Sequence, residues 1–414
     1  MAPATICQNT RARKDPNRQD GSNPMRVGII GGGISGLTAA FELTRRGHAV
    51  ELFEAREAMG GLVSTFDLAG TRIERYYHFL CLGDEGYFDL CQDLGLADRI
   101  RFRRARTGFY YDGAHHPFTN AFDLLRFTPI PLSQRIRFGL FALEARWRDE
   151  WRQLDELVAK PWLIDRVGLR TYQVVWEPLL ALKFGDFHDR ISAAWVWHRM
   201  HRVARSKGRM GYLEGGTGLL LDTLEEAING QGGAIHTNCS VEAVLADGGL
   251  RLAGGETRTF DALVSTLPLC ALADLLPPEH GDYADQLRRV RYIGVVCAVF
   301  KLARPVSRCF WLNVHDRRLP LNGIIEYTNL NPIDHDAGHI VYVPYYVPTT
   351  HPMYAADDEH VVQTSWEALR LINPVLTEAD RVAHGVFRAS CAQAICPTAF
   401  LDMMPNTAAP IRGL

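Results

Sequence analysis

The chain has 414 residues and a formal net charge of −2 at pH 7. A chain so close to neutrality has no overall field that would recruit nucleic acid or an anionic membrane. With 47% hydrophobic residues it can bury a large core, and its length predicts two or three domains. The nine cysteines include no C-x-x-C pair, which predicts a reducing, cytoplasmic location rather than a disulfide framework.

The N-terminal segment differs from the rest of the chain. Residues 1–24 are polar and include four basic side chains but no apolar stretch. This composition predicts a disordered tail, and neither a signal peptide nor a membrane anchor. Elsewhere no uninterrupted apolar run reaches the roughly 18 residues that a transmembrane helix needs.

The first motif is a strand followed by a glycine-rich turn. Residues Arg26–Ile30 form the predicted strand, and GGGISG at residues 31–36 fits G-x-G-x-x-G. Gly31 permits a tight turn, Gly33 lets a pyrophosphate approach the backbone, and Gly36 lets the next helix pack closely on the strand. In this context the motif predicts a dinucleotide site, with a glycine-rich turn of an ordinary α/β domain as the alternative.

The segments after the turn agree with this interpretation. A helix predicted from Leu37 to Arg46 directs its positive dipole end and free N–H groups toward phosphates, with Ser35 at its start. A second strand, Ala49–Phe53, ends at Glu54, about 20 residues past the first glycines, where a carboxylate accepts hydrogen bonds from ribose hydroxyls. An acid at this position disfavours the 2′-phosphate of NADP.

Residues 54–61, EAREAMGG, continue into a glycine pair that simple nicotinamide dehydrogenases do not need. Here the chain resembles the flavin amine oxidase, protoporphyrinogen oxidase and phytoene desaturase superfamily, in which an E-x-x-x-x-x-G-G segment lies along FAD. A surface loop is the alternative interpretation. The resemblance implies FAD as the cofactor and the following contacts to it: Gly31, Gly33, Ser35, Gly36, Glu54, Arg56, Gly60, Gly61 and Leu62.

A second glycine-rich segment, residues 211–218, leads into a helix predicted over Leu219–Ile228 and then into several short strands. In the family this passage returns the chain to the FAD domain. The resemblance implies that Val241, in an N-x-x-V segment, holds the adenine through its backbone. It also places Ser265 and Thr266 near the cofactor. Because such turns are common, ordinary structural turns are the alternative.

The predicted fold class is α/β: a glutathione-reductase-type Rossmann FAD-binding domain, a mixed-sheet substrate domain and a helical cap. Alternating, β-branched segments near residues 291–301, 322–328 and 339–347 indicate the substrate sheet. The predicted division is residues 25–75, 209–290 and 385–414 for the discontinuous FAD-binding domain, 76–120 and 291–384 for the substrate sheet, and 121–208 for the helical region.

Within the helical region, residues 140–152 combine large apolar side chains with Arg146, Arg148 and Arg152. Such a segment fits either a helix lying on a lipid surface or a core helix with a solvated basic face. We favour the core helix. Peripheral membrane contact is therefore the less favoured interpretation.

The catalytic residues are harder to predict because a flavin carries the redox chemistry itself. Residues 74–79 follow the cofactor segment where family members pass the isoalloxazine, and UDP-galactopyranose mutases have a comparable histidine and aromatic pair. The resemblance therefore implies that His78 is a proton shuttle or a flavin hydrogen-bond partner. A packed structural histidine is the alternative.

Lys183 is the second catalytic candidate. It lies in an EPLL…KFG segment similar to that of protoporphyrinogen oxidase relatives, and lysines approach the flavin in amine oxidases. A lysine that snorkels beside an apolar helix is the alternative, and the one we favour. His198 and His201 are three residues apart on a helix, but no carboxylate or cysteine stands at ligand spacing, so we predict no metal site.

The predicted function is FAD-dependent oxidation or desaturation of a small apolar or amphipathic molecule, with dioxygen or another acceptor reoxidising the flavin. The alternative is a non-redox flavoenzyme resembling UDP-galactopyranose mutase, which acts on a sugar nucleotide. An arginine pair that reads a substrate pyrophosphate would favour the mutase. The candidates, which a solvated basic helix face explains equally well, are Arg199, Arg202, Arg205 and Arg209.

A third interpretation is a protein that binds the cofactor but is catalytically inactive. Family members have a further flavin-binding motif near the C-terminus, and the resemblance reaches Leu414 just before it. Activity would be in doubt for a protein without that motif.

Overall fold

The computed structural model describes residues 23–316, 318–333 and 338–414. The predicted tail, residues 1–24, lies outside the described residues except for its last two. The predicted α/β class is confirmed, because a parallel sheet and a larger mixed sheet organise the chain. No helix in the described residues is both long and apolar enough to cross a bilayer.

The strands are β1 (Arg26–Ile30), β2 (Ala49–Phe53), β3 (Thr65–Asp67), β4 (Arg72–Glu74), β5 (Ile100–Arg104), β6 (Thr107–Tyr111), β7 (Ala114–Pro117), β8 (Arg209–Leu213), β9 (Ala234–His236), β10 (Val241–Val244), β11 (Gly249–Leu252), β12 (Thr257–Thr259), β13 (Ala262–Ser265), β14 (Tyr292–Leu302), β15 (Trp311–Val314), β16 (Gly323–Glu326), β17 (His339–Val347) and β18 (Arg381–Ala394). The α-helices are α1 (Ile34–Arg45), α2 (Glu85–Asp93), α3 (Ala121–Arg126), α4 (Leu132–Trp147), α5 (Ala159–Val167), α6 (Leu169–Thr171), α7 (Glu177–Phe184), α8 (Ala193–Arg205), α9 (Gly216–Gly230), α10 (Leu269–Leu275), α11 (Gly281–Arg288), α12 (Pro352–Ala355), α13 (Asp358–Ile372) and α14 (Phe400–Met403).

The parallel sheet has the order β13-β1-β2-β9. Strands β1 and β2 are the two inner strands of this sheet. In β1, Val27, Ile29 and Ile30 are buried, as expected for a strand covered on both faces. One face packs against α1 and α9, with Leu37 and Leu224 in a shared core. The other face packs against the small antiparallel sheet β10-β11-β12. This arrangement places the β1–α1 turn at the carboxyl edge of the sheet, where α/β proteins bind ligands.

The mixed sheet has the order β18-β14-β17-β16-β15-β6-β7. One face packs against α13, and the alternate residues of the same strands face the helical region and the β3–β4 segment. Strand β18 pairs with β14 from Arg381 to Ala394. Residues 385–394 therefore belong to the mixed sheet, whereas our predicted division assigned them to the FAD-binding domain. The remainder of that division stays a prediction.

The helical region has an aromatic core built by α4, α5 and α8. Phe141 contacts Trp162 edge to face with ring centroids 5.4 Å apart, and Trp162 contacts Trp197 in the same way at 6.3 Å. A π-helical turn, Tyr172–Trp176, then leads into α7. Helix α4 buries Phe138 and Phe141 but leaves large apolar side chains on its opposite side exposed. The helix therefore has the predicted core face, but its solvent face carries large apolar side chains as well as basic ones.

The close packing of α1 on β1 gives a test of the fold. A Cβ atom at Gly36 would lie 1.9 Å from the carbonyl oxygen of Gly31, and backbone cannot move aside as a flexible side chain can. We expect Gly36→Ala to lower the free energy of unfolding by at least about 3 kcal/mol, measured by urea denaturation. Gly230→Ala is the control because a Cβ there meets nothing within 4 Å. Equal midpoints for Gly36→Ala and wild type would contradict the clash.

Candidate active site

The glycine turn and the glycine pair form one surface, which we call the glycine cradle (residues 31–36, 60 and 61). The Gly60 N–H donates to the Gly32 carbonyl at 2.8 Å. A Cβ at Gly61 would lie only 3.3 Å from the Gly33 Cα, and the positive φ of Gly61, 56°, disfavours a side chain there. The two loops are thus in direct backbone contact.

Glu54 joins these loops from the end of β2. One carboxylate oxygen accepts the Gly32 N–H at 2.7 Å, and the other accepts the Arg56 N–H at 2.9 Å. Each oxygen retains a lone pair, so the carboxylate can still accept hydrogen bonds from ribose hydroxyls. The Cys239 N–H donates to the Glu54 carbonyl at 2.8 Å, which brings the N-x-x-V loop beside the acid.

The space beside Gly33 fits the diphosphate of a dinucleotide. A Cβ at Gly33 would meet nothing within 4 Å, whereas one at Gly31 would lie 2.9 Å from the Thr266 hydroxyl. No described side chain caps α1, and Ser35 in its first turn is exposed. Bare backbone and open N–H groups at a helix N-terminus are the features that bind phosphate.

Two hydroxyl groups next to the cradle also indicate a missing partner. Ser64 Oγ and Ser265 Oγ are buried, and neither has a hydrogen-bond partner among the described residues. Ser64 closely follows the glycine pair, and Ser265 pairs with Ile30 immediately before the turn. Because buried hydroxyls are nearly always hydrogen-bonded, these two positions fit a bound group that supplies the partners.

The other predicted cofactor residues lie around the cradle. The Thr266 hydroxyl donates to the carbonyls of Ile30 and Gly31, so in this structure it holds the turn. Val241 is buried at the start of β10. Arg56 and Leu62 are exposed at the rim. The structure brings all of these residues to one edge of the parallel sheet, and their contacts with the cofactor stay predictions.

A group of aromatic side chains lies between the cradle segment and the mixed sheet. We call it the aromatic wall (Tyr77, Phe79, Trp311, Tyr342 and Tyr346). The hydroxyls of Tyr77 and Tyr346 are 3.0 Å apart, and Trp311 contacts both Tyr77 and Phe79 edge to face. The Tyr342 hydroxyl donates to the Glu74 carbonyl at 2.9 Å, which fixes the segment after β4 against the sheet.

Lys183 lies against this wall. Its side chain is 4% exposed, and Nζ is 3.5 Å from the ring centroid of Tyr346. The favoured alternative, a snorkelling lysine, is therefore wrong, because the amino group points into the protein rather than to water. Burial, and then the positive charge of Arg199, lower the pKa of Lys183 well below its usual value of 10.5. The lowered pKa shifts the balance toward the neutral amine, the form of Lys183 that can accept a proton.

His78 lies on the same segment but is exposed, with Nδ1 2.9 Å from the Tyr76 carbonyl oxygen. Its predicted catalytic role stays a prediction. Sequence reasoning missed Tyr346 as the partner of Lys183 and Tyr77 as the partner of Tyr346. Their only signal was the tyrosine pair in each of two distant segments, and such pairs are common in strands.

Three of the four arginines considered for a substrate pyrophosphate have partners within the protein. Arg202 binds Asp84 through two hydrogen bonds, at 2.8 and 3.2 Å. Arg205 pairs with Asp149, and Arg209 donates to a backbone carbonyl. Arg199 and Arg202 both reach the aromatic wall: burial lowers the pKa of Arg199, and the Arg202 guanidinium lies 5.6 Å from the ring centroid of Phe79. Because Asp84 already pairs with Arg202, the described residues place no two carboxylate-free arginines at the wall.

A cavity of about 870 Å³ opens elsewhere, at the β6–β7 edge of the mixed sheet. Its lining includes Thr107, His116 and Asn373. Leu312 and Ile372 belong to this lining and to the core under α13. Tyr346 packs on the opposite face. The sheet therefore separates this cavity from the aromatic wall, and the cavity is not part of the site.

Residues 34–395 match the profile of one protein family, described as flavin containing amine oxidoreductase. The chain belongs to the flavin containing amine oxidoreductase family. The family is one of flavin-containing oxidoreductases, which agrees with the FAD cofactor and the enzyme class that the sequence predicted. Bound FAD supplies the redox chemistry by accepting two electrons.

Curated relatives of this chain include two desaturases. It is 24% identical over 310 residues to the zeta-carotene desaturase of Synechocystis sp., covering 66% of this chain and 63% of the relative. It is 28% identical over 305 residues to the 15-cis-phytoene desaturase of Synechococcus elongatus, covering 66% and 64%. The match thus spans less than two thirds of each relative.

Solved structures confirm the fold. An oxidoreductase from Methanosarcina mazei superposes with a TM-score of 0.69 at 19% identity, covering 94% of this chain and 93% of that one. Reduced UDP-galactopyranose mutase superposes with a TM-score of 0.70 at 17% identity, covering 92% and 86%. At such low identity these likenesses concern the fold alone.

The open space at Gly33 provides a test of the cofactor site. We expect Gly33→Val to leave the unfolding midpoint near that of wild type, because a Cβ at this position would meet no protein atom within 4 Å. FAD binding should weaken at least about tenfold, because the side chain fills the space for the diphosphate. Flavin fluorescence titration measures this, with Gly230→Ala as the control. Wild-type FAD affinity in Gly33→Val would contradict the assignment.

Proposed function

We propose that the protein catalyses FAD-dependent dehydrogenation of a small apolar or amphipathic molecule, as a desaturase or an oxidase. The observation that carries this proposal is the aromatic wall with the buried amine of Lys183 against it. Aromatic side chains offer apolar contact area and exclude water, and they suit a substrate that is itself mostly apolar.

The residues of the wall have distinct roles in this proposal. Burial and the neighbouring Tyr346 raise the pKa of Tyr77 well above 10, so its phenol stays protonated and can donate a hydrogen bond. Removing two hydrogens from a substrate releases a hydride and a proton. In this proposal the neutral amine of Lys183 would take the proton, and FAD, when bound, would supply the hydride acceptor.

The desaturase relatives support carbon–carbon dehydrogenation as the reaction class. Their names state desaturation of zeta-carotene and 15-cis-phytoene, and the match covers about two thirds of this chain. The structure offers less support for the mutase. A sugar nucleotide carries a diphosphate, and of the two arginines at the wall, Arg199 and Arg202, the latter is already paired with Asp84.

We also propose a cytoplasmic location, with dioxygen or another small molecule as the electron acceptor. The eight cysteines of the described residues form no disulfide, which supports a reducing compartment.

Anaerobic reduction of the bound flavin tests the proposed function. The FAD-loaded protein is mixed with polyenes, amines, porphyrinogens and sugar nucleotides, and the flavin absorbance is followed. We expect bleaching by an apolar substrate and none by sugar nucleotides. Isomerisation of a sugar nucleotide only after prior reduction with dithionite would overturn the proposal in favour of the mutase.

Lys183→Met tests the proton acceptor. We expect flavin reduction by the identified substrate to slow at least about 100-fold, because the base is lost while an apolar side chain of similar length keeps the packing. In wild type the rate should rise with pH as Lys183 loses its proton, and the variant should lose this dependence. Lys160→Met is the control, because Lys160 also lies over a tyrosine ring, that of Tyr172, but outside the aromatic wall. An unchanged pH profile in Lys183→Met would contradict the role.

A further inference from the structure

Helix α4 has two apolar faces, and only one of them is covered. Phe138, Phe141 and Ala145 are buried in the aromatic core of the helical region. The opposite side carries a stripe of large apolar residues spaced every three or four positions, so that they share one face. The members of the stripe are Leu132, Ile136, Leu140, Leu143 and Trp147.

Helix α3 extends this stripe. Its Phe122 and Leu125 are exposed, and the Leu124 side chain lies 3.6 Å from the position of a Cβ at Gly139 of α4. Arg135 of α4 donates to the Leu125 carbonyl at 2.7 Å. The seven side chains of the two helices, which we call the exposed stripe, have exposed fractions between 48% and 71%. An apolar surface of this extent marks an interaction site.

Arginines stack on aromatic rings along this surface. The guanidinium of Arg126 lies 3.8 Å from the ring centroid of Phe122, and that of Arg146 lies 5.1 Å from the ring of Trp147. Arg152, just beyond α4, stacks on Trp151 at 5.8 Å. No carboxylate of the described residues pairs with Arg126, Arg146 or Arg152 within 4 Å.

Two acidic side chains of the same segment are engaged with the protein. Glu144 pairs with Arg148 and Arg166, at 3.1 and 2.6 Å. Asp149 pairs with Arg205 of α8 at 3.3 Å. The exposed Glu150 has no ion-pair partner among the described residues and offsets one charge, so the three stacked arginines leave a net positive charge beside the exposed stripe.

We propose that the α3–α4 surface docks on an anionic lipid bilayer, with the exposed stripe in the acyl boundary and the stacked arginines at the headgroups. Apolar and aromatic side chains next to arginines are the composition of helices that lie in a membrane interface. The net charge of −2 does not oppose this, because attraction to lipid acts over about one Debye length, roughly 10 Å, and depends on the local patch.

A second copy of the chain fits this surface less well. In a symmetric dimer the same patch lies on both sides of the interface. The stacked arginines would then lie close to their own copies. Glu144 and Asp149 are engaged, and Glu150 alone is too little negative charge for three arginines. Lipid phosphates supply the remaining negative charge.

Vesicle sedimentation tests the docking with the whole chain loaded with FAD. We expect co-sedimentation with vesicles of equimolar phosphatidylcholine and phosphatidylglycerol, and weaker binding to phosphatidylcholine alone. Leu140→Glu combined with Leu143→Glu should lower the bound fraction at least about tenfold, because charges would enter the acyl boundary. Val375→Glu combined with Val382→Glu is the matched control, since both valines are equally exposed elsewhere.

The charge component has its own test. Arg146→Gln combined with Arg152→Gln should weaken binding to the phosphatidylglycerol vesicles and leave binding to phosphatidylcholine unchanged. FAD content and unfolding midpoint should match wild type in all variants, so failure of docking is distinguishable from failure of the proposed function. Wild type that stays in the supernatant, or a stripe variant that binds as wild type does, would overturn the proposal, as would dimerisation through this face without vesicle binding.

Discussion

Direct backbone contact between two glycine loops is the constraint on which the rest of this structure depends. Gly60 donates to Gly32, and Glu54 accepts the N–H of Gly32 from the neighbouring strand. Because no Cβ intervenes, helix α1 begins on bare backbone, and the proposed site for the FAD diphosphate is built from main chain alone. The segment after the glycine pair then runs directly to the aromatic wall, so one local geometry positions both halves of the site.

This constraint is also the part that sequence predicts best. The spacing of the glycines and Glu54 is local and dictated by backbone chemistry, so strands β1 and β2 match the prediction at both ends. Helix α1 begins at Ile34, three residues before the predicted Leu37, because a glycine-rich turn gives no periodic signal at its own helix start. Strand β17 was also predicted correctly from its β-branched alternation.

The catalytic half of the site could not be predicted in the same way. Lys183, Tyr77 and Tyr346 come from a helix, a loop and a strand far apart in sequence, and only packing brings them together. For Lys183 we predicted an amino group that reaches water, whereas the structure buries it. A lysine beside an apolar helix usually reaches water, but here α7 contacts β17, and the mixed sheet closes the route to solvent.

Helix α4 shows a further limit of periodicity. Apolar residues on two opposite faces predict a helix, but they do not say which face meets the core. Rotating α4 about its axis cannot bury both apolar faces, because either orientation leaves one of them in water. Each Å² of apolar surface left in water costs about 25 cal/mol. If α4 served only to cover the core, polar residues would be favoured at the positions of Leu140 and Leu143. The proposed contact with lipid explains why apolar residues stand there instead, beside arginines that lie over aromatic rings.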